Sequence, residues 1–347
     1  MDKINLYTKR GWLNVDEIMK LDFTYIFNVG QRGCGKTYGY IKWLIENNKK
    51  WIYLRRTDRQ ANYQGDILLS SLIPNLNDMG IEYRILSRAK GQIKQWWDTT
   101  NDREICLCAS VSTFNSLRGA NFIEYEYVLF DEFIRSPEEK PIKNEGEAFL
   151  QAYETINRNR EIYDEESNPN PKPALKVICI GNAFDIANDI FMVYQIMDLA
   201  EELAKEKNTD EYMSRGDKLI IYNKYSPKAK EKEQTKMYQN VSGSIVDLNL
   251  KNKFILNDFT YIKDLKNLRE YRCLFSVGLL YVYEHKSKNE YYVAQKKSNV
   301  KEVYTDGYSD LERMKRKYWR FWIKYLDGLI KFDNYESVAI FEKYFEK

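Results

Sequence analysis

Eight residues, Gly30-Gln31-Arg32-Gly33-Cys34-Gly35-Lys36-Thr37, constrain this chain more than any others. They meet every fixed position of the phosphate-binding pattern G-x-x-x-x-G-K-[ST]. Glycines let the backbone curl so that successive N–H groups point inward at phosphate oxygens. A helix starting there adds its positive end. In this pattern Lys36 reaches the β- and γ-phosphates of ATP, and the Thr37 hydroxyl ligates Mg²⁺. The flanks agree with it. Thr24 to Val29 is a short apolar, β-branched run expected to form a buried strand, and Tyr40, Ile41, Leu44 and Ile45 recur at a helical period.

The rest of the N-terminal half alternates in the same way. Trp51–Leu54, Ile105–Ala109, Tyr127–Phe130 and Val177–Gly181 read as further strands separated by helical patterns. Near-continuous apolar strands of this kind predict a mainly parallel sheet covered on both faces, the α/β class of P-loop NTPases. Ligands of such sheets bind beyond the carboxyl ends of the strands.

Three features fall at or between those ends. Asp131-Glu132 follows directly on an apolar strand, where Asp131 would hold Mg²⁺ and Glu132 would orient and deprotonate an attacking water. Asn182 closes the next strand and is placed to sense the γ-phosphate, although a plain turn asparagine fits there too. Arg158 and Arg160 lie between these strands, on an expected helix from about Glu147. They offer either a charge for the γ-phosphate or an ordinary solvated helix face.

Composition sets the wider frame. The chain has 347 residues, 44% of them hydrophobic and 30% charged, long enough for two domains. No apolar run approaches the ~20 residues of a membrane helix, so no membrane partner is expected. Met1 to Lys20 lacks the apolar core of a signal peptide. Five cysteines, mostly inside apolar runs, fit buried thiols in a reducing compartment, and the single histidine, His285, argues against a zinc site. Charge is uneven. Residues 1–200 carry 25 Lys and Arg against 28 Asp and Glu, whereas residues 201–347 carry 29 against 23. The C-terminal part is therefore where a nucleic-acid partner is to be sought.

That part divides in two. Ile190 to about Lys236 reads as a helical, charged linker. From about Thr235 the pattern is β-rich, with Leu274–Tyr283 and Tyr291–Ala294 expected as hairpin strands. A helix is expected from Ser309, with Ser309 and Glu312 as a capping box, apolar positions at Leu311, Met314, Tyr318, Phe321, Tyr325 and Leu329, and a basic face of Arg313, Lys317, Arg320 and Lys324.

Taken together, the sequence resembles the DNA-packaging (encapsidation) ATPases of small podophages that prime replication with a protein, the Picovirinae type. The features that carry the resemblance are Gly30 to Thr37, Tyr53-Leu54-Arg55-Arg56, Val128 to Arg135, Arg158-Asn159-Arg160-Glu161 and Cys179-Ile180-Gly181-Asn182-Ala183. Gly328 to Asn334 adds a weaker match. The resemblance implies an additional-strand, conserved-Glu P-loop ATPase over residues 1–196 and a helical linker over 197–234. It implies a nucleic-acid-binding α+β domain over 235–347, ribonuclease H-like but without nuclease activity. It also implies a homo-oligomeric ring, a pentamer in this family, that uses Mg-ATP to move double-stranded DNA through the portal of an empty capsid. A structural RNA is a further implied partner. The expected setting is the host cytoplasm, with transient attachment to the portal and absence from the mature virion. Arg158 resembles the family's trans-acting arginine finger. Arg118 occupies the spacing, thirteen residues before Asp131, of a second trans-acting basic residue. Other readings of the loop alone are a helicase, a nucleoside kinase or a non-hydrolytic nucleotide-dependent scaffold.

Overall fold

The apolar runs fold as strands in a computed structural model of the chain, which describes residues 4–30, 33–57, 72–114, 121–136, 139–166, 168–183, 185–205, 207–224, 226–240 and 261–345. Residues 1–185 with 202–255 form one compact unit, and residues 186–201 with 256–347 form the other.

The first unit is built on a sheet of nine strands among the described residues. They are β1 (Tyr25–Gly30), β2 (Trp51–Arg55), β3 (Tyr83–Arg88), β4 (Ile93–Asp98), β5 (Arg103–Ser110), β6 (Tyr127–Asp131), β7 (Lys176–Gly181), β8 (Tyr212–Arg215) and β9 (Lys218–Asn223). Their order is β3-β4-β5-β2-β6-β7-β1-β9-β8. The strands from β5 to β9 in that order are parallel, and β4, β3 and β8 add antiparallel edges. Strand β7 lies between β1 and β6, which is the inserted strand expected of an additional-strand P-loop ATPase. The α/β expectation holds.

Burial follows the sequence pattern. Strand β1 is buried from Ile26 onward, and helix α1 (Lys36–Glu46) lays Tyr40, Ile41, Leu44 and Ile45 against the sheet residues Tyr53, Leu129, Ile178 and Ile180. The parallel register aligns the strand ends. Asp131 of β6 stands opposite Ile180, and Gly181 of β7 stands opposite Val29 of β1. Residues 197–234, expected as a helical linker, differ. They contain the β8–β9 hairpin, whose second strand pairs with β1, Asn223 opposite Gly30. The apolar, β-branched run Lys218-Leu219-Ile220-Ile221-Tyr222 outweighs its charged flanks, because it covers the edge of β1 that would otherwise be unpaired.

The second unit carries a mixed sheet of β10 (Tyr271–Val277), β11 (Leu280–His285), β12 (Tyr291–Ala294), β13 (Val303–Tyr304) and β14 (Ile330–Phe332), in the order β13-β10-β11-β12-β14. The expected strand Leu274–Tyr283 is in fact two. Gly278, at φ +52°, turns the chain inside a run whose one polar residue, Ser276, is itself in the strand. The expected single helix after Ser309 is likewise two pieces. The capping box does not form there, since the N-cap is Gly307 and Asp310 instead accepts hydrogen bonds from the Thr305 N–H and hydroxyl, both 2.9 Å.

One buried ion pair ties the carboxyl edge of the first sheet to helix α2 (Glu145–Asn157). Arg56, just past β2, is fully buried. Its Nε and Nη2 reach the two carboxylate oxygens of Glu145 at 2.6 and 2.8 Å, and Nη1 pairs with Glu139. Removing one partner leaves a buried charge uncompensated, at a cost of about 3–5 kcal/mol. Arg56→Met should therefore lower the stability of the first unit by that much in denaturant unfolding, and Arg56→Met combined with Glu145→Leu should recover part of it.

Candidate active site

The carboxyl edge of the sheet opens into a cavity of about 540 Å³ lined by Gly33, Gly35, Lys36, Thr37, Tyr38, Pro74, Asp131, Glu132, Gly181 and Asn182. Most of the sequence-predicted site residues thus meet at one place. Gly30, Cys34 and Arg158 are not part of its lining. Gln31, Arg32 and Arg118 fall outside the described residues.

The loop owes its path to Gly33 and Gly35, at φ +78° and +91°, a region costly for any residue with a Cβ. Lys36 begins α1 and is buried. Its ammonium donates to the Gly30 carbonyl at 2.8 Å, so the side chain folds back along the loop it belongs to.

The acidic half of the site is held from β2. The Tyr53 hydroxyl donates to Asp131 Oδ2 at 2.6 Å, and the Glu132 N–H donates to Oδ1 at 3.0 Å. Burial, reinforced by the Asp131 carboxylate, pushes the Tyr53 phenol well above its ordinary range, so it stays a donor. Arg55 extends over the same pair. Its Nη1 stands 2.7 Å from Glu132 Oε2 and its Nη2 3.7 Å from Asp131 Oδ2. Burial disfavours this guanidinium, but the two carboxylates and Tyr53 outweigh burial and hold it charged. Glu132 itself takes a left-handed backbone, φ +55°, which turns it out of the strand path while Asp131 stays in it. Its side chain remains 45% exposed.

The two arginines after α2 separate cleanly. Arg160 is buried, and its Nη1 and Nη2 donate to the carbonyls of Tyr125 and Ile123 at 2.6 and 3.0 Å. It is a structural clasp. Arg158 is exposed and caps α2, with φ +47° and ψ −144°, rather than sitting on the helix as expected. The charge pattern Arg-Asn-Arg does not distinguish the two; the helix end does.

Among the described residues no group of three or more His, Cys, Asp or Glu side chains is arranged to hold a metal, and no helix is long and apolar enough to cross a membrane.

The model of the podovirus DNA encapsidation protein (Gp16) family matches residues 1–347. The chain belongs to that family. In fold it is similar to the motor in a structure of the bacteriophage Phi-29 viral genome packaging motor assembly. The TM-score is 0.63 at 18% identity, over 96% of this chain and 98% of that one. It is also similar to the Phi-28 gp11 DNA packaging motor, with a TM-score of 0.59 at 17% identity over 97% of both chains. No curated protein sequence matches it. The protein is thus a viral DNA-packaging ATPase, and the helicase, kinase and scaffold readings find no support.

Tyr53 and Arg55 are the site residues that motif reading leaves without a role. Their signal is a charged residue ending an apolar strand, one strand away from the acidic pair. If Arg55 fixes the aim of Glu132, Arg55→Met should lower kcat for ATP about 10- to 100-fold, since a catalytic group displaced by ~1 Å costs on the order of 10². KM should stay within a few-fold. Steady-state ATPase kinetics on the folded variant decide it, and an unchanged kcat would leave Arg55 as a purely structural ion pair.

Proposed function

We propose that the chain is one subunit of a ring motor that hydrolyses Mg-ATP and drives double-stranded DNA through the portal of an empty capsid. The observation that carries this is the cavity in which the phosphate loop, Asp131, Glu132 and Asn182 meet, in a member of a DNA encapsidation family. The backbone N–H groups from Gly30 to Thr37 would cradle the phosphates and Lys36 would leave the Gly30 carbonyl for a phosphate oxygen.

The donor set suits Mg²⁺. This ion keeps several waters and takes one or two protein ligands beside the phosphates, here the Thr37 hydroxyl and the Asp131 carboxylate that Tyr53 steadies. When bound, the metal would neutralise charge on the β- and γ-phosphate oxygens. Glu132, turned into the cavity and still half accessible, is the group that would orient the attacking water and accept its proton. Asn182 would read the γ-phosphate.

Arg158 supports a catalytic role across a subunit boundary. It is exposed, it stands outside its own cavity, and exposed Ile162 and Tyr163 follow it as an apolar tip suited to a neighbouring copy. Arg118 is the proposed helper. By resemblance the ring is a pentamer tethered by a structural RNA, working in the host cytoplasm at the portal and leaving before the virion matures.

Complementation tests this arrangement. Lys36→Ala should lose nucleotide binding. Glu132→Gln should bind ATP yet turn over ~10²–10⁴ times more slowly. Arg158→Ala should lose ~10³–10⁵ in rate. Mixed Arg158→Ala and Glu132→Gln subunits should regain activity, because some interfaces combine an intact Glu132 with an intact Arg158 of the next subunit. If no mixture exceeds either variant alone while both assemble, Arg158 does not act in trans.

Nucleic-acid contact is proposed for the second unit. Helices Tyr308–Lys317 and Arg320–Leu326 expose Arg313, Lys317 and Arg320. The Arg320 guanidinium lies 5.1 Å from the centre of the exposed Trp319 ring, while Arg313 pairs with Asp310 at 2.8 Å and Lys317 with Glu302 at 2.6 Å. For duplex DNA each phosphate contact adds ~0.9 to the salt slope of binding. Arg313→Ala with Arg320→Ala should reduce that slope by about 1–2, measured by titration at several salt concentrations. An unchanged slope removes this face from the contact.

A further inference from the structure

The chain after β9 returns to the mouth of the phosphate loop. Helix α3 (Pro227–Glu233) starts with Pro227 set against Gly11, where an added Cβ would come 2.9 Å from the proline Cβ. One residue on, the Lys228 ammonium lies 4.8 Å from the centre of the Trp12 ring. Trp12 in turn covers Gly35, where an added Cβ would meet its Cε3 at 3.2 Å, and the Leu13 N–H donates to the Cys34 carbonyl at 3.0 Å. Helix α3, the turn around Gly11 and the loop are therefore one continuous stack.

At the far end of α3, Lys232 reaches the loop itself. A Cβ on Gly33 would overlap the Lys232 ammonium and lie 2.9 Å from its Cε. Gly33 is bare because of its φ of +78°, and the end of the Lys232 side chain occupies the space beside it. Gly33 also lines the cavity with Lys36 and Thr37, and Lys36 is the one cationic side chain among the described residues that does so. A bound triphosphate would bring about four negative charges to this spot, and Mg²⁺ together with the Lys36 ammonium would still leave about one of them unmatched.

We propose that Lys232 is a second phosphate-binding lysine of the ATP site, supplied in cis by α3, so that nucleotide holds α3 in place against the loop. The proposal rests on the reading of Gly30–Thr37 as the phosphate cradle. Lysine suits the task, since its flexible four-carbon stem and three donors let a compact charge turn from the loop's rim onto a phosphate oxygen without moving the helix. The contact also gives the segment beyond β9 a means of responding to whether the loop is filled.

Binding of a fluorescent ATP analogue with Mg²⁺ to the full chain tests this, with amide exchange of residues 227–234 as a second readout. Lys232→Met keeps the stem and loses the charge, and should weaken binding about 10- to 100-fold, the range for a lost charge-assisted contact. Lys232→Arg should recover most of it. Lys236→Met removes the same charge one helix further on and should bind as wild type does. In the wild-type protein, Mg-ATP should slow exchange across 227–234. If Lys36→Ala binds nucleotide normally, the phosphate-cradle reading itself fails, and the proposal with it. If Lys36→Ala loses binding while Lys232→Met binds as wild type does, Lys232 alone is excluded. Tighter binding by Lys232→Met, or wild-type exchange that nucleotide leaves unchanged, likewise overturns the proposal.

Discussion

Parallel register is the constraint on which everything else in the first unit depends. In a parallel sheet all carboxyl ends share one edge, and here they coincide within a residue or two. The loop after β1, the acids after β6, the asparagine after β7 and the arginine ending β2 come from distant parts of the chain. Their meeting is a product of the sheet, not of the local sequence around any one of them. Slipping one strand by a residue would turn its core side chains to the opposite face and carry its terminal group out of the cavity. The apolar content of these strands therefore does more than stabilise the unit. It sets the position of the chemistry to within a residue.

That edge concentrates charge in a place where charge is expensive. Asp131, Arg55 and Arg56 are all nearly or fully buried, and each is met by an oppositely charged group. The two arginines point to different tasks. Arg56 closes on Glu145 and Glu139, away from the cavity, and its fork matches a carboxylate on both oxygens. Arg55 spans Asp131 and Glu132, one buried and one half exposed, so its hold is asymmetric. The Glu132 end can let go at far smaller cost than the Asp131 end, because solvent is already present to receive the freed carboxylate. On the proposed roles of Asp131 and Glu132, this gives a fixed metal-side acid and a releasable water-side acid, as hydrolysis on demand would require.

Much of this was legible in the sequence because it is local. The loop pattern and the five long apolar strands need no tertiary knowledge, and each strand forms within a residue or two of its expected place. The elements that escaped were decided by partners. Strands β3 and β4 mix Arg84, Arg88, Lys94 and Gln95 with aromatic residues, and only pairing beside β5 makes them strands. Strand β9 was hidden among charged neighbours. The helical period after Ser309 continues unbroken through Tyr318 in the sequence, yet the helix breaks there, where the Tyr318 ring stacks on Phe275 at 4.0 Å. Ring packing in the second unit outweighed a few residues of helix propensity.

Arg158 and Arg160 show how far a partner can separate two like residues. Only one position lies between them, yet they have opposite fates, because helix α2 ends at Asn157. Beyond that end the backbone at Arg158 adopts a sparsely populated conformation, and such a conformation persists only where surrounding contacts hold it. Arg160 supplies one of those contacts. Its two carbonyl bonds fasten the chain to the segment leading into β6. The buried arginine therefore fixes the exit angle of the exposed one. On the proposed role in trans, the Arg158 charge must be rigid on its own subunit to be useful, since a loosely held arginine would lose in orientation what it gains in reach. The Arg-Asn-Arg pattern is thus an exposed arginine followed by its anchor, and that anchor fastens to the segment that leads into the strand ending at Asp131.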